Sequence, residues 1–329
     1  MAIAVVGGAG YIGSHVVRYL ISLGEEVIVI DNLQTGHKKD IGAVPFYEAD
    51  IRDKKTLLSI FQKDPIESVM HFAANSIVPD SLKNPLEYYH NNVYGTLCLL
   101  DVMKESKVCK IVFSSSAAVY GKPKKIPILE DDPKEPTNTY GETKLAMERM
   151  MSWFEKAYGI HYTALRYFNA AGAHENGDIG EIHQPETHLI PLVLQTALGC
   201  RENICVFGTD YSTSDGTCIR DYIHVMDIAY AHYKALAYLR SGKPSNAFNL
   251  GNGEGSSVKE VIETAIKVTG LKIPIRYEAR REGDPATLVA SSKKAKQVLN
   301  WSPQYPTLFK IISDAWNFHK NNLNPRKIL

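Results

Sequence analysis

The sequence predicts an α/β fold: a doubly wound parallel sheet of the Rossmann type with a second, smaller α/β lobe. Three observations predict it. Short β-rich runs alternate with helix-period segments, several of those runs are apolar throughout, and a glycine-rich turn separates the first run from the first helix. Strands buried on both faces lose the alternation of a half-exposed sheet, as helices packed on either side require.

In order along the chain, "AIAVVG", "EVIVID", "PFYEAD", "SVMHFAA", "KIVFSSS" and "YTALRYFN" read as strands. After Asn169 the segment "HENGDIGEIHQPETH" is polar and glycine-containing, and later elements are shorter and more widely spaced. The expected division is 1–169 for the dinucleotide-type domain and 170–329 for a substrate lobe. The strand-like "NAFNLG" predicts a return of the segment about 223–251 to the first domain. Residues Gly121 to Thr139 carry four prolines and many charges, the composition of a surface excursion.

With 329 residues the chain can bury a sizeable core, and its 37 basic and 36 acidic residues leave a formal charge of +1. That balance supplies no general field for nucleic acid or an anionic membrane, so an anionic ligand must be held by local groups. Cys98, Cys109, Cys200, Cys205 and Cys218 are irregularly spaced without a C-x-x-C, which predicts reduced thiols. The opening "MAIAVVGG" shows no signal-peptide pattern, and a soluble, cytoplasmic protein is expected.

"VVGGAGYIGSHVVRYL" places Gly7, Gly10 and Gly13 between the first strand and the first helix. The first glycine allows a tight turn, the second lets backbone approach a pyrophosphate, and the third lets helix and strand pack closely. Asp31 ends "VIVID" 18 residues past Gly13, where a carboxylate can accept from the adenosine ribose and repel a 2'-phosphate. The expected cofactor is NAD rather than NADP.

Tyr140 and Lys144, in "NTYGETKLAMERMM", are one helical turn apart and can converge on one point. Using the tyrosine as a base near neutrality requires a drop of ~3 units, about 4 kcal/mol in favour of the phenolate. An ammonium ~6 Å away at an effective dielectric of ~20 supplies roughly 3 kcal/mol, and an oxidised nicotinamide could supply the rest. About 25 residues earlier, "FSSSAAVYG" ends a strand in three hydroxyls at the sheet edge where ligands bind. Of Ser114, Ser115 and Ser116, the last is assigned to the reacting oxygen.

The blocks "GGAGYIGSH", "VIDNL", "HFAA", "PLEYYHNNVYGT", "FSSSAAVYG", "YGETK", "RYFNAAGAH", "GTCIRDYIHVMD", "NLGNG" and "RREGDPA" resemble the extended short-chain dehydrogenase/reductases, in the branch that epimerises nucleotide sugars. The resemblance runs over nearly the whole chain. It implies a tightly held NAD, a UDP-hexose substrate, a homodimer paired through two helices, and interconversion of UDP-galactose and UDP-glucose. Tyr140 would remove the 4-hydroxyl proton as carbon 4 is oxidised, and the keto sugar would turn over before reduction from its other face. Ala117 and Ala118 stand where related dehydratases carry an acid pair for elimination, which favours the simpler chemistry.

For the cofactor, the resemblance adds Tyr11, Ile12, Asn32, Asp50, Ile51, Phe72, Ala73, Ala74, Asn91, Ser114, Tyr167 and Phe168 to the glycines, Asp31, Tyr140 and Lys144. For the substrate it implies Ser116, Tyr140, Asn169, Leu189, Cys205, Phe207, Tyr222 and Asp284, with Arg220 and Arg281 gripping the diphosphate. His188 is either a sugar or phosphate contact or the cap of the helix that begins "LIPLVL". The resemblance also implies a gate beside carbon 2 of the hexose, at Thr287 or else at Leu288. Either residue is non-aromatic, and that predicts action on the N-acetylated UDP-hexosamines as well.

The histidine segments, including "GEIHQPETHLIP", lack the spacing of a metal site with cysteine or carboxylate partners, so no metal is expected. Two other functions remain open to the sequence. One is a nucleotide-sugar dehydrogenase or decarboxylase that releases NADH; the other is a non-catalytic NAD-sensing protein.

Overall fold

The structure is a computed structural model that describes residues 1–281 and 284–322. The last part of the expected substrate lobe, 323–329, lies outside the described residues. The strands are β1 (Ala2–Val6), β2 (Val27–Asp31), β3 (Phe46–Glu48), β4 (Ile66–His71), β5 (Lys110–Ser116), β6 (His161–Tyr167), β7 (Asn169–Ala171), β8 (Ile204–Phe207), β9 (Ile219–Arg220), β10 (Tyr222–His224), β11 (Asn246–Leu250), β12 (Ser256–Ser257), β13 (Ile275–Glu278) and β14 (Thr287–Leu288).

Seven of them form one sheet in the order β11-β6-β5-β4-β1-β2-β3, parallel throughout. This is the Rossmann order with β11 added at one edge. The order reverses between β1 and β4, which opens a crevice at the strand carboxyl ends. The apolar runs have the expected cause: β1 and β2 are buried at every position, with one hydrophobic core on each side of the sheet.

The chain leaves this sheet at Phe168. A third core, including Ile190, Val193, Val206, Tyr222, Ile262 and Ile312, gathers the later elements around small sheets, of which β7-β10 is parallel. The segment 225–250 packs back on the first core through Ile228, Ala235, Leu236 and Phe248. A second return was not foreseen, in which Ala295, Leu299 and Trp301 enter that same core.

Two buried aspartates hold these crossings together. Asp221 accepts from the backbone of Asn252, Gly253 and Ala290, and Asp227 from Gln304 and Tyr305. Both are inaccessible to solvent, and each carboxylate is satisfied by main-chain amides rather than by a cation.

The expected surface excursion is in fact anchored midway. Ile128 is fully buried and bridges Ala290, while the Glu130 carboxylate accepts from the Asn249 amide. A single apolar residue and one acid, spaced two apart among prolines and lysines, are enough to pin the loop to the sheet edge.

Candidate active site

Gly7 adopts φ +78°, and a Cβ there would lie 2.4 Å from the Ala73 nitrogen. A Cβ on Gly13 would lie 2.2 Å from the Gly7 carbonyl oxygen, so the helix Tyr11–Ser22 begins directly against the turn. Gly10 is different: a Cβ on it would meet only the Gly7 oxygen, at 3.5 Å. The helix that follows has glycine at its N-cap, which offers no side-chain acceptor to the first amides. Its first amides and the open face of Gly10 form a cradle fitted to a pyrophosphate.

Asp31, 8% exposed, accepts from the Ala9 amide at 2.9 Å and the Leu33 amide at 2.8 Å. Burial pushes its carboxyl up, and the backbone donors pull it down. It braces the glycine turn while retaining lone pairs for a ribose, so this part of the chain fits NAD. Asn32 donates to Asp50, whose carboxyl Arg52 holds well below the usual range, and Ile51 is buried beside Gly95. Phe72, Ala73 and Ala74 follow β4, with the Phe72 and Ala73 amides bonded to Val6. Ile12 packs on the first core, and the Tyr11 hydroxyl donates to the Gly172 carbonyl at 2.8 Å.

The helix Thr139–Tyr158 starts at Asn138, whose side chain accepts from the Gly141 amide. This cap fixes where the helix begins and therefore where Tyr140 and Lys144 point. Lys144 is 2% exposed, donates to the Ser114 carbonyl at 2.8 Å, and sits 5.8 Å from the centre of the Tyr140 ring. Burial lowers it to about 7, against a smaller opposing pull from Glu148. Burial raises the Tyr140 phenol above its ordinary value, while its hydrogen bond with Ser116 draws it down. The pair alone therefore favours the neutral phenol, and the phenolate needs positive charge beyond Lys144.

The three serines separate by strand alternation. Ser115 turns away from the tyrosine and donates to Glu148 at 2.5 Å, within a buried pair in which Arg166 meets Glu148 at 2.6 Å. Ser114 and Tyr167 pair through their hydroxyls, leaving Ser116 at the tyrosine. Asn91, 6% exposed, lies in a π-helical turn, Tyr89–Tyr94, and donates to Asn92, which in turn donates to Thr143. That turn, which aims two adjacent asparagines inward, had no visible signal in an otherwise helical pattern.

The second-lobe candidates form another group. Arg220 pairs with Asp284 and donates to the carbonyls of Ile219 and Pro285. The Arg281 guanidinium lies 3.9 Å above the Phe207 ring, and Cys205 is two residues back on β8. Arg280, not among the expected residues, stacks on Tyr211 at 4.2 Å and binds Asp210. Asn169 and Tyr222 are register partners on β7 and β10, and Leu189 begins the helix Leu189–Ala197. Leu288 packs against the buried cluster of Val119, Tyr120, Ile128 and Leu145, beside the helix Thr139–Tyr158, and strand alternation turns its neighbour Thr287 the other way.

His188 holds the N-cap position of that helix without capping it, because its ring turns to Glu181. The expectation that these histidines lack the spacing of a metal site with carboxylate partners is corrected here: Glu181, His183, Glu186 and His188 converge, their donor atoms within 4.8 Å of one another. Helix- or finger-type spacing misses them because a loop brings them together.

A model of the NAD dependent epimerase/dehydratase family matches residues 3–251. The chain belongs to this family. Within the family it is similar to the UDP-glucose 4-epimerase of Halalkalibacterium halodurans, 59% identical over 98% of this chain and 96% of that one. A crystal structure of a UDP-glucose 4-epimerase superposes with a TM-score of 0.97 at 55% identity, covering 98% of each chain. The UDP-glucose 4-epimerase of Bifidobacterium longum, solved in complex with NAD+ and UDP, is 38% identical with a TM-score of 0.92, over 98% of this chain and 99% of that one. No helix among the described residues is long and apolar enough to cross a membrane.

Proposed function

We propose that this chain interconverts UDP-galactose and UDP-glucose by transient oxidation at carbon 4 within one bound substrate. The observation that carries the reading is the convergence of Ser116, Tyr140 and Lys144 next to Ala117 and Ala118, two methyl side chains that cannot act as a second acid and base. Such a site can remove and return one proton and is poorly equipped for elimination. NAD, when bound, supplies the two-electron acceptor for carbon 4 and the reductant for its return.

Tyr140 takes the 4-hydroxyl proton on its phenolic oxygen and gives it back after the ring has turned. Ser116 orients that hydroxyl through its own hydrogen bond, and Lys144 lends charge to the phenolate. Arg220 and Arg281 anchor the diphosphate, which tethers the substrate while the sugar is loosely held. Asn169, Leu189, Cys205, Phe207, Tyr222 and Asp284 complete the nucleotide end. His188 turns its Nδ1 to Glu181, which leaves its Nε2 for the sugar or phosphate contact. Purified protein given UDP-galactose without added NAD should produce UDP-glucose. Stoichiometric NADH in solution, or a dehydrated sugar, would overturn the reading.

Leu288, on the strength of its packing against the cluster that holds Leu145, is the wall beside carbon 2, in place of Thr287. An aliphatic wall leaves room for an acetamido group, so the N-acetylated UDP-hexosamines are also substrates. A homodimer is supported by the exposed Leu86, Tyr89, Tyr94, Leu97 and Trp153, on Pro85–Glu105 and the catalytic helix. Light scattering on the purified protein tests it. All five cysteines are free thiols, which supports a cytoplasmic setting.

A further inference from the structure

The loop between β7 and the helix Leu189–Ala197 has no part in the chemistry above, yet "EIHQPETH" packs four donor side chains into eight residues. His183 Nδ1 lies 3.2 Å from Glu181 Oε1 and 3.8 Å from Glu186 Oε1. His188 Nδ1 touches the same Glu181 oxygen. The two carboxylates are each only 4% exposed, and Arg or Lys partners them nowhere among the described residues.

Two carboxylates withdrawn from water this far require nearby positive charge and filled lone pairs. The second requirement is unmet. Glu186 accepts from the Thr187 and His188 amides through Oε1, but its buried Oε2 accepts nothing among the described residues, and the buried His183 Nδ1 has no well-aligned partner there.

We propose that Glu181, His183, Glu186 and His188 bind one divalent transition-metal ion, zinc by the character of the donors. Two imidazole nitrogens and two carboxylate oxygens are a zinc-type set, whereas calcium and magnesium call for oxygen alone. Donors ~2.1 Å from a tetrahedral zinc lie roughly 3.4 Å apart, close to the spacings of His183 to its two carboxylates. The shell closes by small side-chain rotations within one loop. Bound there, the ion clamps the loop that begins near Gly172, where Tyr11 is tied, and ends on the residue before Leu189. Its role is structural, holding the start of that helix against the cofactor-binding half.

The test uses the full-length protein with its bound cofactor, stripped with a chelator, equilibrated with zinc and dialysed against metal-free buffer. Elemental analysis should find about one zinc per chain, and thermal unfolding should shift upward. His183→Gln and Glu186→Gln should each drop the zinc content by roughly tenfold while retaining NAD. Should either variant lose its NAD through misfolding, cobalt replaces zinc in the wild-type protein as the deciding probe. A four-coordinate visible spectrum without a thiolate charge-transfer band supports the site. A thiolate band, wild-type protein without zinc, or full zinc content in both folded variants overturns it.

Discussion

Replacing Gly13 with alanine should separate the two halves of the glycine turn's work. The new Cβ would start 2.2 Å from the Gly7 oxygen and 2.8 Å from the Gly8 Cα, and both neighbours are backbone. Side-chain carbons essentially never come nearer than 3.0 Å, so the helix Tyr11–Ser22 must retreat from the turn by roughly 0.8 Å. Overpacking of this kind costs ~1–3 kcal/mol. If that cost falls on the cofactor-bound geometry, NAD affinity drops by about 5- to 150-fold. The control is Gly10→Ala, whose Cβ makes only an ordinary 3.5 Å contact within the chain and intrudes on the pyrophosphate cradle instead. It should leave the cofactor-free unfolding temperature unchanged while also losing NAD. The assay is NAD titration of stripped protein alongside thermal unfolding. Wild-type NAD affinity in Gly10→Ala, or an unperturbed unfolding temperature and affinity in Gly13→Ala, would refute the argument.

Other consequences can be checked in the same preparations. Tyr140→Phe should reduce turnover by at least ~100-fold with UDP binding retained, read by coupled assay and calorimetry. Burial lowers Lys144 to about 7, so the folded protein binds fewer protons than the unfolded chain between there and the ordinary lysine value. Stability of cofactor-free protein should therefore rise with pH across that window, and Lys144→Met should flatten the rise in unfolding temperature. Glu148→Gln leaves Arg166 charged and underpaired inside the fold, and denaturant titration should record a loss of about 3–5 kcal/mol. Leu288→Tyr should suppress turnover of the N-acetylated substrate and spare UDP-galactose, whereas Thr287→Tyr should leave both rates within about twofold of each other's wild-type ratio.

What could be read in advance was local. The glycine turn, Asp31 at a strand end and the Tyr140–Lys144 pair each follow from short spacings on regular elements, and the apolar strands follow from burial on both faces. What escaped was assembled by the tertiary fold. The sequence singles out Ser116 among three consecutive serines, but the reason lies in the pleat and in a glutamate one helical turn beyond Lys144, which send Ser115 to Glu148 and leave Ser116 at Tyr140. The π turn that points Asn91 and Asn92 inward is a single extra residue in a helix, invisible to a pattern of apolar positions. The Glu181–His188 cluster depends on a loop's path, and the choice between Thr287 and Leu288 depends on one step of strand phase. Asp221 and Asp227 read as acids in a motif, yet they serve as acceptors for amides brought from distant segments.

Those two aspartates bear on how the catalytic cycle can move. A hinge between lobes works best when a few strands of chain cross it, because only those must absorb the change in angle. Here the crossings near Tyr222, Asn252, Ala290 and Gln304 are knotted to two carboxylates with no access to water. Opening the cleft widely would tear several of these amide bonds at once. A half-turn of the sugar that needs no wide opening of the cleft is the one that leaves these bonds intact.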